Sequence, residues 1–336
     1  MSDPGLPIID VAALCSPDFA DRREVGERIA EACGTTGFFY ITGHGVPQEV
    51  IDTALAEARL FFRQPAEAKA GAAADARFRG WHAIGGALMY GASRPDFKEF
   101  FQMGLDLPET DPDVLAGQPL RGPNRWPDGP PGFRPAMEAY YRETGACGAR
   151  LLRGVALALG LPESFFDARY AKPMQRTQAI YYPPQPAEMG EDQYGVAPHT
   201  DYGCITLLYQ DGTGGLEAQR LDGAWVPAPP MAGSFVVNVG DLLERWSNGR
   251  FKSTPHRVVN RSGQERLSIA TFYDPTYTAL VDSRELLAAL DLDDAPNFPP
   301  IQAGDHIQNR IAESKRHRQS IQATGQAQAG GGAAGR

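Results

Sequence analysis

Several features that define whole classes of protein are scarce or absent in this chain of 336 residues. Its four cysteines, Cys15, Cys33, Cys147 and Cys204, have no CxxC spacing, which argues against a thiolate zinc site and against a disulfide framework. The N-terminus lacks a basic segment followed by an apolar run, and no apolar run approaches the length of a membrane span. We therefore expect a soluble, cytoplasmic protein that does not associate with membranes.

Charge of one sign is not concentrated in any part of the chain. The formal net charge is −9, and no long acidic or basic run carries it, which argues against nucleic acid as a partner. Hydrophobic residues make up 42% and charged residues 22%, as in ordinary globular domains. The composition specifies no oligomeric state.

The pattern of apolar residues along the sequence changes at about residue 173. Before it, apolar residues at helical spacing predict three helices, at about residues 21–33, 47–62 and 132–159. Residues 66–131 are rich in Gly, Pro and Asp but also in aromatic residues, so we interpret them as an ordered loop that covers the site. After residue 173, short apolar runs separated by turn residues predict an antiparallel sandwich or barrel, and jelly rolls with a metal site are one such class.

A possible metal site stands at the start of this β-rich half. His199 and Asp201 are two residues apart, so on an extended strand both side chains leave the same face. His256 begins a distant strand-like run after Pro255. Two imidazoles and one carboxylate form the facial arrangement that leaves three neighbouring positions open on ferrous iron.

The next strand-like run repeats the same spacing with different chemistry. Arg266 and Ser268 would direct a guanidinium and a hydroxyl at one acidic group. The alternative is a non-catalytic, ligand-binding jelly roll that holds structural zinc. Three candidate ligands with no fourth favour an open catalytic site over a closed structural one.

These motifs also resemble a known family. The order HTD, SNGRFKSTPHRVVN and RLS is similar to the isopenicillin-N-synthase-like branch of the iron(II)/2-oxoglutarate-dependent dioxygenases, and so are GFFYITGHGVP and YYP. The likeness covers about residues 6–318. It implies a mainly β fold with α-helices, in which a double-stranded β-helix (jelly-roll) core is flanked by N-terminal helices and a C-terminal helix.

On this basis we divide the chain into four segments. They are an N-terminal helical and mixed region with the covering loop (1–172), the jelly-roll core (173–282), a C-terminal helical segment (283–320) and a disordered Gly/Ala/Gln tail (321–336).

The resemblance assigns roles where motifs match. His199, Asp201 and His256 match the iron ligands. Arg266 and Ser268 match the pair that binds the distal carboxylate of 2-oxoglutarate, and Tyr182 matches a tyrosine that hydrogen-bonds this co-substrate.

The resemblance says less about the substrate pocket. Plant relatives often carry Asn two residues before the tyrosine, where this chain has Ile180. Phe272 matches a position that lines the substrate pocket. Tyr90 and Phe101, in the covering loop, are expected to line it too. His82 in the same loop could also touch a substrate.

The implied activity is that of an Fe(II)- and 2-oxoglutarate-dependent oxygenase. It would hydroxylate, desaturate or cyclise a small-molecule substrate with O2, releasing succinate and CO2, with ascorbate as the reductant. Two alternatives within the same branch stay open. One is an oxidase of the isopenicillin N synthase kind, which needs no 2-oxoglutarate and would use Arg266 and Ser268 for a substrate carboxylate. The other is fragmentation of 2-oxoglutarate to ethylene.

Overall fold

The computed structural model describes residues 5–186, 189–190 and 192–331. In these ranges the α-helices are α1 (Phe19–Thr35), α2 (Gln48–Phe62), α3 (Ala66–Ala70), α4 (Pro112–Leu115), α5 (Phe133–Ala158), α6 (Asp241–Trp246), α7 (Ser283–Ala289) and α8 (Ala303–Gly331). The strands are β1 (Ile8–Asp10), β2 (Phe38–Thr42), β3 (Gly80–His82), β4 (Glu99–Gly104), β5 (Arg176–Tyr182), β6 (Val196–His199), β7 (Ile205–Gln210), β8 (Leu216–Gln219), β9 (Trp225–Pro227), β10 (Phe235–Val239), β11 (His256–Val258), β12 (Arg266–Tyr273), β13 (Leu280–Val281) and β14 (Ile301–Gln302). Short 3-10 helices cover Ala12–Cys15 and Asp167–Tyr170.

Two sheets form the core of the molecule. The large sheet has the strand order β1-β2-β10-β7-β12-β5-β4-β3, and the small one has the order β6-β11-β8-β9. β1 pairs with β2 in parallel, and the other pairings within these two sheets are antiparallel. Residues of both sheets share one apolar cluster, so the sheets lie face to face. This is the predicted jelly roll of a mainly β protein with helices.

The large sheet buries both of its faces. Phe38 and Tyr40 of β2 face the small sheet, whereas Phe39 and Ile41 join the cluster formed with α1, α2 and α5. This alternation is the ordinary consequence of the two-residue period of a strand. The helices predicted before residue 173 therefore cover the outer face, and the space between the two sheets is left for a site.

The segment predicted as a covering loop contains structure that the pattern of apolar residues does not reveal. It supplies β3 and β4, so four of the eight strands of the large sheet come from residues 1–172. β4 is difficult to predict because it begins with the charged residue Glu99. This side chain is buried only because it forms an ion pair with Lys69, at 2.7 Å. Burial of a charged residue depends on its distant partner, which local periodicity cannot show.

The C-terminal helix is longer than predicted. We assigned residues 283–320 to the C-terminal helical segment and predicted a disordered tail after them, whereas α8 extends from Ala303 to Gly331. Alanine and glutamine, which are frequent in that tail, are good helix formers. Residues 332–336 of the predicted tail lie outside the described residues. None of the helices in the described part of the chain combines the length and apolar character needed to cross a lipid bilayer.

Phe101 of β4 belongs to the helix-covered face of the large sheet. Its side chain is fully buried, with ring centroids 5.6 Å from Phe61 and 4.9 Å from Phe133. Tyr90, in contrast, is 64% exposed and contacts His317 of α8. The two residues therefore differ in burial, although both were predicted to face a pocket.

We expect Phe101→Ala to lower the free energy of unfolding by about 3–5 kcal/mol, because it leaves a cavity in an aromatic cluster. Tyr90→Ala should change the same quantity by less than about 0.5 kcal/mol. Chemical denaturation of both variants measures the difference. Similar values for the two would contradict the placement of β4.

Candidate active site

The three predicted metal ligands lie together at one edge of the small sheet. His199 ends β6 and His256 begins β11, and the two residues are direct partners in the antiparallel register. Their ring centroids are 4.2 Å apart. Oδ1 of Asp201 lies 3.7 Å from Nε2 of His199 and 3.8 Å from Nε2 of His256. One potential ligand atom from each residue lies within 4.8 Å of the other two, so a single ion could contact all three.

Hydrogen bonds leave the inward-facing nitrogen of each imidazole free. Nδ1 of His199 is 2.8 Å from the carbonyl oxygen of Ala197, and Nδ1 of His256 is 3.3 Å from that of Thr254. A carbonyl oxygen only accepts, so Nδ1 carries the proton and the lone pair is on Nε2. This is how imidazole ligands of metals are usually oriented.

The Asp201 carboxylate is likewise oriented by hydrogen bonds to one of its two oxygens. Its Oδ2 accepts hydrogen bonds from the Thr206 hydroxyl at 2.5 Å and from Nδ2 of Asn238 at 2.7 Å, which leaves Oδ1 for an ion. Burial would raise the pKa of Asp201, but the two imidazoles and these hydrogen bonds bring it below its usual value. Burial lowers the pKa of His199 to about 3, so this ring is neutral at physiological pH. Neutral imidazoles and an ionised carboxylate are the ligands that suit Fe(II).

A cavity of about 290 Å³ adjoins this cluster between the two sheets. Its walls include alternate residues of two strands of the large sheet, Phe100 and Gln102 on β4 and Arg176, Gln178, Ile180 and Tyr182 on β5. Residues of one face of α8 line it as well, namely Ile311, Ser314, Lys315 and Arg318. The open side of the metal cluster therefore has a space in which a small molecule could bind.

The lining of the cavity differs in part from the expected pocket. Phe272 lines it, as does Tyr182, which we expect to bind the co-substrate, whereas Phe101 and Tyr90 are not among its lining residues. Phe101 points to the opposite face of β4, and its neighbour Phe100 takes the predicted place because side chains alternate along a strand. Tyr90 points to solvent.

Arg266 and Ser268 lie in the wall of the cavity but do not reach its surface. The Arg266 side chain is fully buried and its guanidinium carbon is 4.6 Å from the ring centre of Tyr182, which does line the cavity. Nη1 of Arg266 donates to Oγ of Ser268 at 3.1 Å, so the predicted pair is in direct contact. The registers of β12 with β5 and β7 place Tyr182 beside Arg266 and Gln210 beside Ser268.

Comparison with known proteins agrees with this geometry. Residues 6–129 match the family described as the non-haem dioxygenase in morphine synthesis N-terminal region, and residues 171–275 match the 2OG-Fe(II) oxygenase superfamily. A probable iron/ascorbate oxidoreductase of Dictyostelium discoideum is 34% identical over 301 residues, which cover 82% of each chain. The chain belongs to the 2OG-Fe(II) oxygenase superfamily. The family predicted from the sequence motifs is therefore confirmed.

Two further relatives of this 2OG-Fe(II) oxygenase show the range of the superfamily. A homoarginine-6-hydroxylase of Arabidopsis thaliana is 35% identical over 294 residues, covering 84% of this chain and 88% of its own. The crystal structure of a full-length Neurospora crassa protein in complex with alpha-KG (2-oxoglutarate) and thymine has a TM-score of 0.80 at 27% identity, covering 91% of this chain and 96% of that one. The protein is thus a 2-oxoglutarate/Fe(II)-dependent oxidoreductase that acts on a small molecule.

The sequence analysis did not identify the residues that hydrogen-bond the metal ligands or the basic residues that line the cavity. Thr206 and Asn238 hold Asp201, and each is a polar residue inside a short apolar run, which was the available signal. Lys98 and Arg176 line the cavity. Their positions could not be recognised, because β4 was not predicted and Arg176 is a charged residue at the very start of β5.

We expect Thr206→Val to lower the affinity for a divalent metal by about 10-fold or more, because the valine cannot hold Oδ2 of Asp201 in place. Thr177→Val is a matched control. The Thr177 hydroxyl is buried beside that of Thr271 on the opposite face of the sheet, so its loss should leave metal affinity almost unchanged. Titration calorimetry with Mn²⁺ in place of Fe(II) measures both. Equal losses in the two variants would contradict the role of Thr206.

Proposed function

We propose that His199, Asp201 and His256 bind the iron, and that Arg266 with Ser268 and Tyr182 binds the distal carboxylate of 2-oxoglutarate. The substrate would occupy the adjoining cavity. The position of the Arg266 guanidinium carries this proposal. It is fully buried in the wall of the cavity that adjoins the three metal ligands, and it has no anionic partner among the described residues.

The contacts of Arg266 make the case for an acidic ligand. Nε donates to the carbonyl oxygen of Gly214 at 2.6 Å, and Nη2 donates to Oε1 of Gln210 at 3.0 Å. With the bond to Ser268, three of its five N–H groups have neutral acceptors. None of the hydrogen-bond acceptors of Arg266 in the described part of the chain is a carboxylate.

A buried cation in this state is unfavourable unless an anion is supplied. One N–H remains on each terminal nitrogen, which is the arrangement that binds a carboxylate through two parallel hydrogen bonds. Because Tyr182 lies between the guanidinium and the cavity, its ring would have to lie beside a bound carboxylate. Ile180 adds only an apolar contact on the same face of β5.

The bound iron would supply the redox chemistry, together with 2-oxoglutarate and dioxygen. The protein's own residues bind, orient and exclude water. The three proposed ligands would hold one side of the ion, and Phe100, Ile180 and Phe272 give the cavity apolar walls that keep water from the reacting groups. Ascorbate as reductant, a cytoplasmic location, and the lack of nucleic-acid or membrane partners remain predictions.

The relatives' names point to no single substrate. A homoarginine hydroxylase at 35% identity and a protein solved with thymine at 27% identity differ in the chemistry that their names imply. The substrate class must therefore be inferred from the residues that line the cavity. Its volume of about 290 Å³ suits a small molecule.

The proposal is tested by following 2-oxoglutarate consumption, succinate and headspace gas with purified protein, Fe(II) and ascorbate, with and without candidate substrates. Succinate release that depends on 2-oxoglutarate supports the proposal. Substrate oxidation without 2-oxoglutarate would indicate an oxidase of the isopenicillin N synthase kind, and ethylene would indicate fragmentation of the co-substrate.

We expect Arg266→Ala to weaken 2-oxoglutarate binding by about 100-fold or more, because the distal carboxylate loses its charged, two-pronged partner. Affinity for Mn²⁺ should stay within about 2-fold of the unmodified protein, because Arg266 contacts none of the three metal ligands. Calorimetry with each ligand in turn separates the two effects. Unchanged affinity for 2-oxoglutarate would remove the assignment.

A further inference from the structure

We infer that the primary substrate is a small organic anion, whose acidic group binds to Lys315 and Arg318 of α8 and whose apolar body lies against Phe100 and His82. This inference rests on the proposed function, because it assumes that 2-oxoglutarate occupies the Arg266 end of the cavity. It names the substrate class of that site.

The charges that line the cavity are mainly positive. Four basic residues contribute to its walls: Lys98, Arg176, Lys315 and Arg318. Among the described residues, Asp201 is the only acidic residue in those walls, and it belongs to the metal cluster. A substrate with a positive group would therefore find no available carboxylate in the described walls.

The co-substrate does not account for these cations. A divalent metal, the Asp201 carboxylate, the Arg266 guanidinium and the dianion 2-oxoglutarate carry charges that cancel. The remaining basic residues are therefore left for the substrate or must be neutralised by the protein.

The protein neutralises two of the four. Lys98 pairs with the buried Asp96 at 3.2 Å, and Arg176 pairs with the buried Asp274 at 2.8 Å. Neither of these carboxylates lines the cavity. Each pair is internally balanced, so these two residues contribute little net charge.

Lys315 and Arg318 have no such partner in the described part of the chain. Nζ of Lys315 lies 4.3 Å from the ring centre of Phe78, and Nη1 of Arg318 donates to the carbonyl oxygen of Gly86 at 2.6 Å. Glu313 on the same helix is engaged with Arg310, at 3.2 Å. Two unpaired cations on one face of α8 thus meet the cavity, and each can bind an acidic group.

Aromatic rings next to these cations provide an apolar wall for the body of the substrate. His82 stacks on Phe100 with ring centroids 4.1 Å apart and an angle of 8°, and Phe78 lies 6.1 Å beyond His82 at 15°. Burial lowers the pKa of His82 to about 4, so this ring adds no positive charge at neutral pH. Its buried Nε2 has no hydrogen-bond partner in the described part of the protein, and a polar group of the substrate could supply one.

The test compares acids with their uncharged amides. The probes are phenylacetate and phenylacetamide, cinnamate and cinnamamide, and 2-naphthoate and 2-naphthamide. Each is titrated by calorimetry into the Fe(II) enzyme without oxygen, with 2-oxoglutarate at saturation so that the Arg266 site is filled. We expect at least one acid to bind about 10-fold more tightly than its amide, as for a charge-assisted hydrogen bond.

The double variant Lys315→Gln/Arg318→Gln should weaken binding of that acid about 10-fold and leave its amide unaffected. Arg316→Gln is the matched control, because Arg316 is an exposed basic residue of the same helix that does not line the cavity. It should change neither affinity.

Three results would overturn the inference. They are equal binding of acids and amides, no binding of any acid, and a double variant that behaves like Arg316→Gln. Since binding is measured without turnover, the outcome is independent of the succinate assay. Lack of 2-oxoglutarate-dependent succinate would count against the proposed function, while a lost preference for acids would count only against the substrate class.

Discussion

The antiparallel pairing of β6 with β11 is the constraint on which the metal cluster depends. It sets His199 directly opposite His256, and Asp201 follows within two residues of His199. A slip of one residue would turn one imidazole to the other face of the sheet, because side chains alternate along a strand. Two hydrogen bonds from the large sheet, donated by Thr206 and Asn238, then hold the carboxylate beside both rings. The metal cluster thus joins the two sheets of the jelly roll.

Burial determines the protonation state and the need for an ion-pair partner of the titratable groups in the site. It keeps His199 neutral, so that its lone pair is available to a metal, and it leaves the Arg266 guanidinium in need of an anion. The same reasoning separates the basic residues of the cavity into two groups. Lys98 and Arg176 have buried acidic partners, whereas Lys315 and Arg318 have none among the described residues. The two basic residues in or next to the large sheet are therefore neutralised by carboxylates. The two basic residues of α8 keep a net positive charge, which favours an anionic substrate over a cationic one.

Much of the fold could be predicted because its elements have regular local signals. The period of α5 is recognisable without a structure, and the observed helix, Phe133–Ala158, lies within one residue of the predicted range 132–159 at each end. β4 could not be recognised, because the charged pair Lys98 and Glu99 stands at its start, and Glu99 is buried only by virtue of its distant partner Lys69. Without a predicted strand there was no basis for choosing between Phe100 and Phe101 as the residue that faces the cavity.

The amino-acid sequence alone was enough to select the three candidate metal ligands and the Arg266/Ser268 pair. Short motifs with two-residue spacing dictate which side chains share a strand face, and that information is local. The sign and balance of charge in the cavity depended on three-dimensional packing. Whether a lysine or arginine is available to a ligand depends on which carboxylate lies beside it. Asp274 reaches Arg176, and one face of α8 reaches the cavity, only when the chain folds. Partners remote in sequence leave no local pattern, and for that reason the substrate's chemistry could be inferred only after the fold was known.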